Sequence, residues 1–284
     1  MALRRFVPLA AYCFLVPVLL PAQPGLQLAL KVGNPVAIAG TPGAGYYVLS
    51  RGSVVYHYVP VAGALKFQNR FENIQFGESS DVTVASIGGQ ESAILTSFSS
   101  AAHSGFISRY SPDGQLIKAW RIGRYPGGID FDSASGNVYY SAIDSREIYR
   151  IHIDGGQPEF VCEIYGAQHL GALVVDPSGR SLYVADTERG VVYRVDLKTS
   201  RATVAAENLR QPTALRFAEN QKTLFIADAL AHRIFSIAAA QASTPHPAAV
   251  ISAGLFAPSG IAPGFNGALL IADFQSNSVY QAVP

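Results

Sequence analysis

The sequence predicts an all-β chain folded as a six-bladed β-propeller of four-stranded antiparallel blades, and three observations carry that reading. An aliphatic residue that follows a small residue or a Pro-containing turn recurs at Ile38, Val82, Ile129, Leu173, Leu215 and Ile261, at spacings of 44, 47, 44, 42 and 46. An aromatic follows each of them, with Tyr149, Tyr193 and Phe235 at 20 residues, Tyr280 at 19, Tyr56 at 18 and Phe106 at 24. Between these marks run short alternating segments bounded by turn residues, and no capped helical pattern follows residue 22. Repeats of about 45 residues, each holding four short strands, are what propeller blades look like in sequence.

Taken in order, the elements begin with residues 1–22. Arg4 and Arg5 precede an apolar run from Phe6 to Leu20, and Pro21 and Ala22 close it, which is the layout of a secretory signal peptide cleaved after Ala22. Pro8 and Pro17 interrupt the run, which falls short of the roughly 20 apolar residues that span a bilayer. Residues 23–284 then form a single domain that is expected in the periplasm or the medium. Strand patterns are clearest at Asn137–Ala142, Glu147–Ile153, Ser181–Asp186 and Val191–Leu197, with turns at Asp154-Gly155-Gly156 and Pro177-Ser178-Gly179. Gly88-Gly89 reads as a hairpin turn, because a phosphate cradle would have to open a helix. The Ala-rich stretch Ala238–Ala242 is soon followed by Pro245 and Pro247, which ends any helix there. The sixth unit offers only three strands, Pro258–Ala262, Ala268–Asp273 and Ser278–Val283, so Leu26–Val32 is expected to pair with the last of them and close the ring.

Composition excludes several functions. Lys plus Arg number 21 against 20 Asp plus Glu, and without residues 1–22 the balance is 19 against 20, so nucleic acid or membrane binding by bulk charge is not expected. With 49% hydrophobic residues the chain can offset its conformational entropy and fold, and a monomer is expected. The same cut removes Cys13 and leaves Cys162 in the apolar context Phe160–Ile164, a small buried hydrophobe with no disulfide partner. Trp120 falls in the outer-strand segment Gln115–Arg121 of unit two, where packing between blades is its expected role.

Units four to six carry a further signature. Ile226-Ala227-Asp228 followed by His232-Arg233-Ile234 resembles the core of NHL repeats, and Tyr183–Asp186 with Val192–Arg194, and Leu270–Asp273 with Val279-Tyr280, resemble it again. Unit three has Ala142 at the Asp position, and units one and two have Ser50 and Ser97 near it. The resemblance implies a propeller of the NHL and SMP-30/gluconolactonase type. For the lactonases it implies a metal near the axis held by glutamate, asparagine and aspartate. Here Pro35-Val36-Ala37 stand where that glutamate would be, and the matching positions supply only Asp81 and His169.

In a propeller, the loops entering each innermost strand and the hairpins joining second to third strands emerge together on one face. The candidate ligand-binding residues on that face are Asp81, His103, Asp144, Arg146, His169, Glu188, Arg189, His232 and Asn277, a mixed-charge set suited to a small polar ligand or a protein partner. His103, His169 and His232 together could hold zinc with an open fourth position, as in propeller amidating lyases, although no cofactor is the simpler expectation. No Gly-x-Ser-x-Gly elbow occurs, so a serine hydrolase is not indicated. Asp186, Asp228 and Asp273 are flanked by Ala or Phe rather than by further acids, and are expected to accept backbone N–H bonds from nearby turns. The sequence thus favours a secreted binding module, with a metal-dependent hydrolase, lactonase or lyase on the same face as the alternative.

Overall fold

The computed structural model describes residues 25–239, 247–251 and 253–283; the expected signal peptide and part of the Ala-rich stretch lie outside them. Strand β1 (Leu26–Lys31) opens the described chain. Blade one comprises β2 (Pro35–Gly40), β3 (Tyr46–Ser50), β4 (Val54–Val61) and β5 (Ala64–Glu72), and blade two β6 (Glu78–Ile87), β7 (Gln90–Ser99), β8 (Ser104–Tyr110) and β9 (Leu116–Ile122). Blade three is β10 (Pro126–Asp132), β11 (Asn137–Ala142), β12 (Glu147–His152) and β13 (Glu159–Glu163), and blade four β14 (Leu170–Val175), β15 (Ser181–Asp186), β16 (Val191–Asp196) and β17 (Arg201–Ala206). Blade five is β18 (Pro212–Phe217), β19 (Thr223–Asp228), β20 (Arg233–Ala238) and β21 (Ala248–Ile251). Blade six contains β22 (Pro258–Pro263), β23 (Leu269–Asp273) and β24 (Ser278–Ala282), and β1 supplies its fourth strand. The chain is therefore a six-bladed β-propeller. No helix among the described residues is long and apolar enough to cross a membrane.

The expected closure is present. Leu26 lies opposite Ala282, Leu28 opposite Tyr280 and Lys31 opposite Ser278, antiparallel, and the Lys31 ammonium donates to the Ser278 hydroxyl at 3.0 Å. The six repeating aliphatic residues all fall on the innermost strands, and the six aromatics on the third strands, where Tyr149 faces Tyr140 and Tyr193 faces Val184. Between neighbouring blades these surfaces merge into apolar clusters, such as Leu173, Leu182, Val184 and Tyr193 with Ile148 and Cys162 across blades three and four. Cys162 is buried there, and burial pushes its thiol up to about 11, so it packs as an unreactive hydrophobe. Trp120 packs against Ile129 and Val138 of blade three, as its place in an outer strand suggested. The Gly88-Gly89 pair makes the two-residue hairpin turn, with Ile87 opposite Gln90 and both glycines at positive φ.

Each blade satisfies its own backbone ladder, so the innermost strands of adjacent blades are tied by side chains. Ser80 donates to the Pro126 carbonyl at 2.9 Å, Ser141 to Gly171 at 2.7 Å, Thr213 to Pro258 at 2.7 Å and Ser259 to Pro35 at 2.6 Å, each a hydroxyl reaching the next blade. The carbonyls they reach lie beside β-bulges that begin all six innermost strands, as between Pro35 and Ala37 or Pro258 and Gly260. Gly128 and Gly260 are required by the crowding at the axis, since a Cβ at either would lie 2.4 Å and 2.7 Å from the next blade's backbone.

Deleting residues 23–32 leaves blade six with three strands and an exposed ladder on β24. The expected result is a melting temperature lower by about 10 °C or more, measured by circular dichroism.

Candidate functional site

The loops entering the innermost strands and the hairpins between second and third strands define what we term the front face. Behind it the axis holds a cavity of about 160 Å³ lined by Asp81, Thr213, Ser259, Arg216 and small or aliphatic residues of all six blades. Of the nine residues singled out from sequence, only Asp81 lines it.

Asp81 accepts from the Val82 N–H at 2.8 Å through Oδ1 and from the Ile129 N–H of blade three at 3.1 Å through Oδ2. Burial pushes its carboxyl up to about 7 against the pull of those two N–H groups and of Arg216, and the nearby Asp130 adds to the rise. Asp130 repeats the arrangement one blade on, accepting from the Thr83 hydroxyl at 2.9 Å and from the Val175 N–H of blade four at 2.9 Å. The Arg216 guanidinium stands 3.9 Å from Asp130. Asp130 and Arg216 were not singled out from sequence. The signal was the alternation along innermost strands, where each directly follows a repeating aliphatic residue, at Ile129 and Leu215, and so takes the other side of the strand.

Four other candidates share one conformational slot. His103, Arg146, His232 and Asn277 each stand immediately before the third strand of a blade with φ between 45° and 58°, and Ser53 and Gly190 take the same place in blades one and four at 65°. That slot demands a left-handed backbone, which His, Asn and Gly accept more readily than most residues. Its carbonyl receives the chain leaving the outer strand: Arg146 accepts from Ile164 N–H at 3.0 Å, Gly190 from Leu209 at 3.1 Å and Asn277 from Val32 at 3.1 Å. Their side chains are used locally too. Arg146 pairs with Glu163 at 3.0 Å, Asn277 Oδ1 accepts from the Asn34 N–H at 2.7 Å, and His232 Nδ1 meets the Phe256 carbonyl. His103 is exposed on its turn, and Asp144 lies in the corresponding hairpin of blade three. The three histidines therefore occupy three separate blades, and among the described residues no three His, Cys, Asp or Glu side chains gather where they could hold a metal ion.

The remaining candidates are organised by the repeated aspartates. Asp186 is fully buried and accepts N–H bonds from Gln168 at 2.8 Å, His169 at 3.2 Å and Arg189 at 3.1 Å. Asp228 does the same for Arg210 at 2.7 Å, Gln211 at 3.0 Å and Ala231 at 2.9 Å, and Asp273 for Phe256 at 2.7 Å, Ala257 at 3.2 Å and Ser276 at 3.1 Å. Each carboxylate takes one bond from the following turn, as expected, and two more from the loop entering its own blade, so it pins both front loops together. Blades one to three have Ser50, Ser97 and Ala142 at this position and lack the clamp. On the pinned loops His169 Nδ1 lies 3.8 Å from Glu188, and Arg189 donates to the Gly166 carbonyl beside Tyr165. Large apolar side chains are also exposed there: Tyr165 is 93% exposed, Leu230 48% and Phe256 48%.

No family model matches this chain, and no curated protein does. Among solved structures it is similar to a chain of a nidogen/laminin complex, with a TM-score of 0.68 and 19% identity over 82% of this chain and 87% of that one. A streptogramin B lyase aligns with a TM-score of 0.61 and 11% identity over 90% of this chain and 96% of that one. A catalytically inactive histidine-to-alanine form of virginiamycin B lyase from Staphylococcus aureus with quinupristin aligns at 0.62 and 14% over 90% and 87%. These likenesses define a class, the β-propellers, and at such identities they speak for the fold alone.

Two outcomes follow. Asp228→Ala leaves three N–H groups, of Arg210, Gln211 and Ala231, without their buried acceptor and is expected to cost roughly 2 kcal/mol in urea unfolding. Between about pH 4 and pH 7 native Asp81 keeps a proton that the unfolded chain has released, so raising pH through that window removes stability. Melting temperatures at pH 5 and pH 8 should therefore fall further for the native chain than for Asp81→Asn.

Proposed function

We propose that the chain is an exported binding module that holds a protein or peptide segment on the front face of blades four to six. The observation that carries this reading is the coincidence of pinned loops with exposed side chains. Asp186, Asp228 and Asp273 fix the backbone of Gln168, His169, Arg189, Arg210, Gln211 and Phe256 before any partner arrives. A surface ordered in advance loses less entropy on binding. Tyr165, Leu230 and Phe256 offer apolar anchors between charged groups, the mixture that protein interfaces favour at their centres and rims. The likeness to a chain of the nidogen/laminin complex supports protein binding. Export rests on the basic and apolar layout of residues 1–22.

A second reading has its own observation. His169 beside Glu188 is an imidazole with a carboxylate able to orient it, on the same face, and two of the similar structures are lyases. In that case His169 would move a proton during an elimination or hydrolysis.

The test is a selection of peptide ligands from a displayed library, followed by affinity measurements. Tyr165→Ala and Phe256→Ala are expected to weaken binding about tenfold each, and Ile74→Ala, on the unpinned side of the front face, to leave it unchanged. Binding that ignores Tyr165 and Phe256, together with turnover of a lactone or cyclic ester that disappears in His169→Ala, would overturn the binding module in favour of the enzyme.

A further inference from the structure

The front-face reading does not use the larger of the two cavities on the axis. Where first strands turn into second strands, the back face opens into a space of about 420 Å³, against about 160 Å³ at the front, and this is a size that takes small molecules. Its floor is made by residues that directly follow the repeating aliphatic positions, among them Thr83, Asp130 and Arg216. Two further charged side chains, Glu91 and Glu219, line it beside the back-face turns.

Among the described residues that line this cavity, Arg216 is the only cation, and its guanidinium is a planar fork of five N–H donors. Its side chain is only 22% exposed. The Nε–H donates to the Ile261 carbonyl of blade six at 3.4 Å, while Nη1 stands 3.9 Å from Asp130 Oδ1, beyond hydrogen-bond reach. Neither terminal nitrogen has a hydrogen-bond partner among the described residues. Asp130 is already engaged, since Oδ1 accepts from the Thr83 hydroxyl and Oδ2 from the Val175 N–H, so it steadies the guanidinium by charge and leaves the terminal donors open. An enclosed fork of this kind calls for an acceptor with two oxygens, and a carboxylate is its planar match.

The carboxylates of the cavity are less well paired. Glu219 follows Arg216 by three residues in the turn after β18, is exposed, and has no ion-pair partner among the described residues. Glu91 belongs to blade two, which stands opposite blade five in a ring of six, so the two glutamates lie on opposite sides of the axis. The groups beside Glu91 are the His57 ring, 3.9 Å away, and the Tyr47 hydroxyl. Both are neutral, because burial lowers the histidine's affinity for a proton and strengthens the phenol's hold on its own. The charge of Glu91 is therefore left uncompensated.

We propose that the back cavity binds a basic amino acid of the lysine class. Its α-carboxylate lies on the open guanidinium donors of Arg216, its α-ammonium on Glu219 of the same blade, and its side-chain ammonium reaches Glu91 across the axis. One cation between two carboxylates is thus met by one carboxylate between two ammonium groups. Simpler ligands fit less well: a plain carboxylate would face Glu91 and Glu219 without relief, and a diamine would leave the guanidinium unpaired and place like charge beside it. The site shares no residue with the front loops of blades four to six, so it stands apart from the peptide-binding reading.

The experiment titrates the purified chain by calorimetry with L-lysine, with 1,5-diaminopentane, which lacks only the carboxylate, and with hexanoate, which lacks both amines. One equivalent of L-lysine is expected, with each analogue weaker by about 30-fold or more. Glu219→Gln and Glu91→Gln should each weaken L-lysine about tenfold, Arg216→Gln should abolish its heat, and Ile74→Ala should change nothing. Melting without ligand establishes that each variant folds; Arg216→Lys, which keeps the charge and loses the fork, replaces Arg216→Gln if that one does not, and should weaken binding about tenfold. No heat from L-lysine up to about 10 mM, an analogue that binds as tightly as L-lysine, or binding that survives both glutamate substitutions would overturn the proposal.

Discussion

Every blade of this propeller completes its hydrogen-bonded ladder within itself, so nothing in the backbone of one blade holds the next. The ring depends on what crosses those gaps: apolar clusters between blade faces, hydroxyl and carboxylate bonds to the neighbouring innermost strand, and β1 lying on β24. The last of these is the most economical. Six units in a row would be an open array with a bare edge at each end, and one six-residue strand from the start of the domain removes both. Crowding at the axis then dictates small residues on the innermost strands, and the few charged groups admitted there, Asp81, Asp130 and Arg216, are occupied in bridging blades.

The architecture was legible because a blade is a local object. Its strands are consecutive, its turns are short, and its repeating aliphatic and aromatic positions face the same neighbours in every unit, so the sequence pattern located the second and third strands of blades three and four and the three strands of blade six to within a residue or two. The site was less legible, for a specific reason. His103, Arg146, His232 and Asn277 stood out as polar residues on the ligand face, but sequence spacing does not reveal that all four fill one slot with a left-handed backbone. Asp186, Asp228 and Asp273 were read as turn acceptors, and the two extra bonds each makes to residues 17 or so earlier come from the tertiary return of the chain. His57 and Glu91 carried no signal, since they lie on different blades and meet only through blade packing.

The same aspartates divide the molecule. On blades four to six the front loops are clamped, and those loops bear His169, Glu188, Arg189, Arg210, Leu230 and Phe256. On blades one to three the clamp is replaced by Ser50, Ser97 and Ala142, and these blades instead concentrate the buried polar pairs: Asn73 with Ser79, Ser108 and Tyr110, and His57 with the Pro112 carbonyl. A pinned, partly apolar half of the front face is where the proposed binding function places recognition. A half rich in buried polar bonds is a scaffold whose stability depends on keeping each of those bonds satisfied.

The most direct test of this division is hydrogen exchange by mass spectrometry on the chain with and without a peptide ligand selected against it. New protection is expected in segments 164–169, 207–212, 229–232 and 253–257 on the front of blades four to six, with segments 80–83 and 128–130 at the axis unchanged. Protection confined to the axial segments, with the front loops of blades four to six exchanging as before, would contradict it and move the binding site into the central cavity.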